Sequence, residues 1–254
     1  MFAEERQRAI LEQLRRKSKV TVEELTAHFN VSPPTIRTDL TRLEEQGYLR
    51  RTHGGAIAVG NTLFEPPFAE RAIWRQNEKR KIAQAAAALV NEGETLLLDA
   101  GTTCYEIALH LKEYKKLTVV TNSLATAQTL SENEGIQTLL IGGVVQPARR
   151  ATMGVLAARF LEPIRCDKAF VAFSGVSVEG GFSVIDFDAA TVKRQMMKQA
   201  RQVFAVVDSS KIGQTSFANV AAVSDVTQLI TDSSITPEDK TALEEVGLRI
   251  LIAE

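Results

Sequence analysis

Apolar residues first recur at helical spacing. Ile10, Leu11 and Leu14 fall on one face of a helix predicted from about Glu4 to Arg16. Leu25 and Phe29, one turn apart, predict a short helix from about Val22, and Ile36, Leu40 and Leu43 predict another from Pro33. The polar punctuation agrees. Thr21 and Glu24 have capping-box spacing, Asn30 and Ser32 supply turn and cap chemistry, and Pro33 gives up no needed donor at a first helical position. Gly47 fits a left-handed cap after the second of these helices. Two short helices around a tight turn, then a basic hairpin through Leu49-Arg50-Arg51-Thr52-His53-Gly54-Gly55, give the layout of a winged helix-turn-helix. Such a module places its second helix in a DNA groove.

The period then breaks and changes. Gly60, Asn61, Pro66 and Pro67 interrupt residues 58–73, which read as a linker. A helix from about Asn77 to Asn91 follows, with Ile82, Ala86 and Leu89 on one face and Glu78-Lys79-Arg80-Lys81 as a solvated first turn. Short apolar runs come next: Thr95 to Leu98, Leu117 to Val120, Gln137 to Ile141, Lys168 to Phe173, Val203 to Val207, Gln228 to Ile230 and Arg249 to Ile252. Helical windows separate most of them, at Tyr105 to Leu111, Leu124 to Leu130, Thr191 to Ala200 and Pro237 to Val246. That alternation predicts an α/β fold with a doubly wound, largely parallel sheet covered on both faces. The expected organisation is a reader domain over residues 1–57, the linker, and a larger domain over residues 74–254.

Composition narrows the class. The 254 residues are 44% hydrophobic and 24% charged, values of an ordinary globular protein with room for two domains. No apolar run reaches the roughly 18 residues of a membrane span, and the charged start is unlike a secretory signal, so a cytoplasmic protein with no membrane partner is expected. Residues 1–56 carry ten Lys or Arg against eight Asp or Glu, while the whole chain is at −1. DNA affinity must then come from local placement of arginines rather than bulk charge. Cys104 and Cys166 are far apart, and His28, His53 and His110 lack ligand spacing, so no metal, cofactor or catalytic set is expected.

The richest chemistry lies after the strand-length runs, where open α/β sheets bind ligands. Asp99-Ala100-Gly101-Thr102-Thr103 opens a helix: glycine permits close backbone approach, and hydroxyls with helix-start amides suit an anion such as phosphate. The loop lacks the Gly-Lys-Thr or Gly-Lys-Ser ending of a Walker sequence, which disfavours nucleotide hydrolysis. Thr121-Asn122-Ser123, Gly142-Gly143 and Asp208-Ser209-Ser210-Lys211 follow other runs. Each alone is ordinary turn chemistry; four at successive strand ends point to a site.

The run Val31-Ser32, Thr35-Ile36-Arg37-Thr38-Asp39-Leu40, Leu43-Glu44, Gly47 and Arg51-Thr52-His53-Gly54-Gly55-Ala56 resembles the amino-terminal signature of DeoR-type bacterial transcription regulators. Asp99 to Thr103, Thr121-Asn122-Ser123, Gly142-Gly143, Gly175, Gly181, Lys193-Arg194 and Asp208 to Lys211 resemble that family's carboxy-terminal sensor. Three positions depart from the pattern: Thr38 replaces a second arginine, Pro34 follows Pro33, and Ala189 replaces a glutamate. The resemblance implies a repressor of carbohydrate-metabolism genes, a homo-oligomer (dimer or tetramer) on a double-stranded DNA operator. It also implies a sugar-isomerase-like domain that binds a phosphorylated sugar or related metabolite and changes operator affinity. On that basis Thr35 and Arg37 are expected at base edges, and Ser32, Arg42, Arg50, Arg51 and His53 at phosphates or the minor groove, with Thr38 also in the DNA-binding set although the arginine contact expected at its position is missing or moved. Gly101, Thr102 and Thr103 are expected to hold the effector's phosphate, and Asp99, Asn122 and Lys211 its hydroxyls or charge. Thr121, Gly142, Gly143 and Asp186 complete the expected effector set, with Asp186 or Asp188 able to compensate for Ala189. A second reading retains isomerase chemistry, with Asp99 as general base and Lys211 as its electrophilic partner. A third is a structural DNA-associated protein with an inert pocket.

Overall fold

The chain divides into two compact units, Met1–Phe64 and Glu65–Glu254. The structure, a computed structural model, describes all residues except Met1, Ser18, Gln46, Gly47 and residues 59–65. The Gly47 cap and the Gly60-Asn61 part of the expected linker therefore lie outside the described residues.

The first unit runs α1 (Ala3–Lys17), β1 (Lys19–Thr21), α2 (Val22–Phe29), α3 (Pro33–Glu45), β2 (Leu49–Thr52) and β3 (Gly55–Ala58). The capping box forms: the Glu24 amide donates to Thr21 Oγ1 at 3.1 Å and the Thr21 amide to Glu24 Oε2 at 3.0 Å. Ile10, Leu14, Leu25, Ile36, Leu40 and Leu43 close the three-helix core. Strand β1 was not anticipated. It pairs with β3 in a sheet of order β1-β3-β2, and Gly55 is where the two press closest. A Cβ at Gly55 would stand 2.0 Å from the Val20 carbonyl oxygen, so a side chain there would expel β1. The core also holds charge: Asp39 accepts from Arg6 Nε at 2.5 Å and from Gln7 Nε2 at 2.9 Å, all three side chains buried.

The second unit begins with α4 (Phe68–Ile73) and α5 (Gln76–Ala87), then β4 (Thr95–Leu98), α6 (Thr102–Leu111), β5 (Leu117–Thr121), α7 (Leu124–Leu130) and β6 (Ile136–Leu140). A hairpin of β7 (Val144–Gln146) and β8 (Ala151–Met153) leads to α8 (Val155–Phe160) and β9 (Cys166–Val171). Next come β10 (Gly175–Ser177), β11 (Gly181–Val184), α9 (Phe187–Gln199), β12 (Ala200–Val206), β13 (Ala218–Ala221), β14 (Gln228–Asp232), α10 (Pro237–Glu245) and β15 (Ile250–Ala253). Seven strands form one parallel sheet, ordered β15-β14-β12-β9-β4-β5-β6. Leu97, Val120, Ala169 and Ala205 point to one face, with Ala189, Val192 and Met196 of α9. Leu96, Leu98, Val119, Phe170 and Phe204 point to the other, with Ile82 and Ala86 of α5 and Ile107 of α6. Both faces are covered, which is why the strands read as unbroken apolar runs.

Two expectations need correction. Helix α4 occupies the end of the stretch read as linker, because Phe68 is buried edge-on against the Tyr105 ring at 5.7 Å between centroids. Lys79 is not solvated: it is 5% exposed, and its ammonium donates to the carbonyls of Arg71 and Trp74 at the end of α4.

Candidate functional site

On the first unit, α3 and the wing present an exposed polar surface. Arg37, Thr38 and Arg42 are exposed along α3, Arg50 and His53 along the wing, and Ser32 at the helix start. Pro33 and Pro34 remove two of the helix's orphan amides, so Ser32 Oγ receives only the Thr35 amide, at 3.4 Å, and lies 2.8 Å from the Thr35 hydroxyl. Thr35 is thereby half-buried and occupied locally. Thr38 donates its hydroxyl back to the Pro34 carbonyl at 3.0 Å. Arg51 is bound into the fold: its guanidinium donates to Thr41 Oγ1 at 2.6 Å and its amide to Glu44 Oε1 at 2.7 Å, fastening the wing to α3.

On the second unit, the chain leaves β4 toward β5 and β6 on one side, while β9, β12, β14 and β15 lie on the other. The crevice between the exits of β4 and β9 is thus the switch point where such sheets bind ligands. Asp99 sits there, 1% exposed. Its Oδ2 accepts from the Ala172 amide at 3.1 Å and from the Lys193 ammonium, brought in by α9, while its Oδ1 is buried with no partner. Lys193 is also buried, 5.9 Å from the Phe173 ring centroid. Gly101 caps α6 with extended backbone, and a Cβ on it would lie 3.0 Å from that of Ala172. The first turn of α6, with buried Thr102 and Thr103, is therefore pressed against the exit of β9. Its free amides carry partial positive charge beside a carboxylate–ammonium pair, a setting for a ligand bearing both an anionic group and hydroxyls. Burial, with the adjacent Asp99 charge, pushes the thiol of neighbouring Cys104 well above the usual range.

Other expected residues shape this crevice or stand apart from it. Asn122 is wholly buried; its Oδ1 accepts from the Ala100 amide at 2.8 Å and its Nδ2 donates to the Thr152 carbonyl at 3.1 Å. Thr121 Oγ1 accepts from the Ser123 amide at 3.0 Å. Both polar groups hold the loops in place. Gly142 and Gly143 are exposed and lead into the β7–β8 hairpin rather than a helix start. Asp186 caps α9, accepting from the Ala189 amide at 2.9 Å, and lies 3.6 Å from Arg149.

Lys211 belongs to a second polar cluster, behind β12 and separated from β4 by β9. Arg75, in a left-handed conformation at φ 47°, reaches Asp208 at 3.3 Å, Ser209 Oγ at 2.8 Å and Asp232 at 3.2 Å. Burial raises the Asp208 carboxyl, but Lys211, Ser210, Arg75 and Lys79 together hold it below the ordinary range. The cost of burial falls on Lys79, whose ammonium is lowered to about 8 even though Asp208 opposes the shift. Asp99 is paired with Lys193, while the charge of Lys211 acts on Asp208.

Lys193, Arg75 and Lys79 were missing from the expected site. One signal was legible for Lys193: it falls among Ala189, Val192 and Met196 on the buried stripe of α9, where a lysine needs a carboxylate. Among the described residues no group of three His, Cys, Asp or Glu is placed to hold a metal ion, and no helix is long and apolar enough to cross a membrane.

Two family models match the chain, a DeoR-like helix-turn-helix domain over residues 6–62 and a DeoR C-terminal sensor domain over residues 74–233. The Bacillus subtilis HTH-type transcriptional regulator YulB is 37% identical over 98% of this chain and 96% of its own. The Escherichia coli glycerol-3-phosphate regulon repressor is 34% identical over 90% of each. A ribose 5-phosphate isomerase A from Methanocaldococcus jannaschii superposes on 54% of each chain at 18% identity, with a TM-score of 0.38.

Proposed function

Because the chain belongs to the DeoR family of helix-turn-helix transcriptional regulators, we propose that it binds an operator through α3 and the wing and releases it on binding a phosphorylated sugar or related metabolite. It is a DNA-binding regulator and not an enzyme, as are the relatives named above. In this reading it acts in the cytoplasm as a homo-oligomeric repressor, with two recognition helices on a repeated or palindromic site. Arg37 addresses base edges, with Thr35 setting the helix start; Ser32, Thr38, Arg42, Arg50 and His53 meet phosphates or the minor groove, and Arg51 acts by fastening the wing. The effector's phosphate lies at Gly101, Thr102 and Thr103, and Asp99 with Lys193 takes its hydroxyls. Lys211 serves the same effector from the β12 side, and Thr121, Asn122, Gly142, Gly143 and Asp186 position the surrounding loops.

One observation supports the effector reading above the rest: Asp99 Oδ1 is buried and unpartnered beside a helix start. An unsatisfied carboxylate oxygen is costly in a folded protein and calls for a donor, which a sugar hydroxyl supplies. For operator affinity to change, the ligand must prefer one of two states of the protein, since equal affinity for both shifts nothing.

The test is a thermal-shift series with phosphorylated sugars and their free counterparts. One phosphorylated compound should raise the melting temperature in proportion to the logarithm of its concentration, worth ~2.7 kcal/mol at a hundredfold excess over Kd. The same compound should release operator DNA, and Lys193→Met should abolish both responses. Equal shifts from free sugars, or none from any phosphorylated one, would overturn the reading.

A further inference from the structure

Helix α8 presents its larger apolar residues to water. Its inward positions are Ala157 and Ala158, continued by Leu161, while Val155, Leu156, Arg159 and Phe160 lie outward. Leu156 is 65% exposed and Ala157 not at all. Two neighbours extend the face. Val144 of β7 follows Gly143, where a Cβ would stand 3.0 Å from that of Ala157. Phe187 opens α9, which packs against α8, and is 65% exposed even with the Arg194 guanidinium 5.8 Å from its ring centroid.

These five apolar side chains expose on the order of 500 Å², toward the upper end of the largest patch on a free monomer. That is more than half of the ~800 Å² each partner gives to a standard interface. The exposed rim carries both signs, Arg159 against Glu162 and Asp188, while Asp186 is already paired with Arg149 and Arg194 with the Asn219 carbonyl. A nucleic acid or an anionic membrane would call for cations alone. An apolar centre inside a rim of mixed charge is instead self-complementary under a two-fold rotation, which sets each copy's cations against the other's carboxylates.

We propose that this face, centred on Leu156 and Phe187, is where a second copy of the chain docks. The inference rests on the homo-oligomer reading above and gives it a surface. Sedimentation velocity on the full chain without DNA or effector, across a range of concentrations, tests it with Leu156→Glu, Phe187→Ser and, as a control away from the face, Lys115→Glu. Circular dichroism melts keep misfolding separate from dissociation. The wild type and Lys115→Glu should sediment as dimers or larger, while Leu156→Glu and Phe187→Ser each weaken assembly ~30-fold or more, the scale of a central interface residue. Wild-type assembly retained in both face variants would overturn this surface and leave the homo-oligomer reading standing. A wild type that stays monomeric throughout would overturn both.

Discussion

A carboxylate that is 2% exposed inside a small helical unit survives only through its partners, and Asp39 has Arg6 and Gln7. Removing one member of a buried pair leaves the other charged and unsolvated, at a cost of about 3–5 kcal/mol. Asp39→Ala should therefore lower the unfolding free energy of the reader unit, read from denaturant titration, by that order, and Arg6→Met with Asp39→Leu should recover much of the loss. A single variant as stable as the wild type would show that water reaches Arg6. Asp99 and Lys193 repeat the motif with one difference, since one Asp99 oxygen is left without a partner. Asp99 is legible in the sequence because it stands in a short loop between a strand-length run and a helix. Its pairing with Lys193 is not, because the two residues are 94 apart in the chain and meet only once α9 lies on the sheet.

At the scale of elements, legibility followed local pattern. All seven parallel strands, and the helices with strong caps or long apolar stripes, could be read to within a few residues. The antiparallel additions, β1, β7–β8 and β10–β11–β13, could not, because strands of three or four residues carry too little alternation to stand out. Helix α9 begins before the window assigned to it because Asp186 caps it. The α4–α5 corner was misread for another reason: a charge run usually marks a solvated turn, whereas Lys79 is drawn inward to satisfy the two carbonyls that end α4. That burial has a measurable sign. Below about pH 8 the ammonium is charged in both folded and unfolded chains, and folding bears its desolvation. Between about 8 and the ordinary 10.5 the unfolded chain holds the extra proton, so stability rises with pH across that window. The stability difference between wild type and Lys79→Met should move in the wild type's favour there, by at most about 1.4 kcal/mol per pH unit. A flat difference would mean that the ammonium is not desolvated.

For the whole molecule the decisive quantity is where charge sits, because the chain's net charge is only −1. A regulator with no bulk attraction to DNA has to hold it by a few placed cations, so individual arginines should have separable effects. Arg37 lies exposed on α3 between Pro34 and Thr41, where a guanidinium can take a guanine edge bidentately. Arg50 stands exposed on β2, suited to a phosphate. Arg51 is hydrogen-bonded to Thr41 and acts through the wing's position. Operator and scrambled duplexes titrated across a salt series distinguish the three roles. Arg37→Ala should cost ~1–3 kcal/mol on the operator and little on scrambled DNA. Arg50→Ala should weaken both duplexes alike and reduce the salt slope by about one. Arg51→Ala should weaken both without that simple change in slope, because it releases a whole hairpin rather than one contact. If Arg37→Ala left the preference for the operator intact, the base-reading face of α3 would have to be the one that turns Arg42 outward.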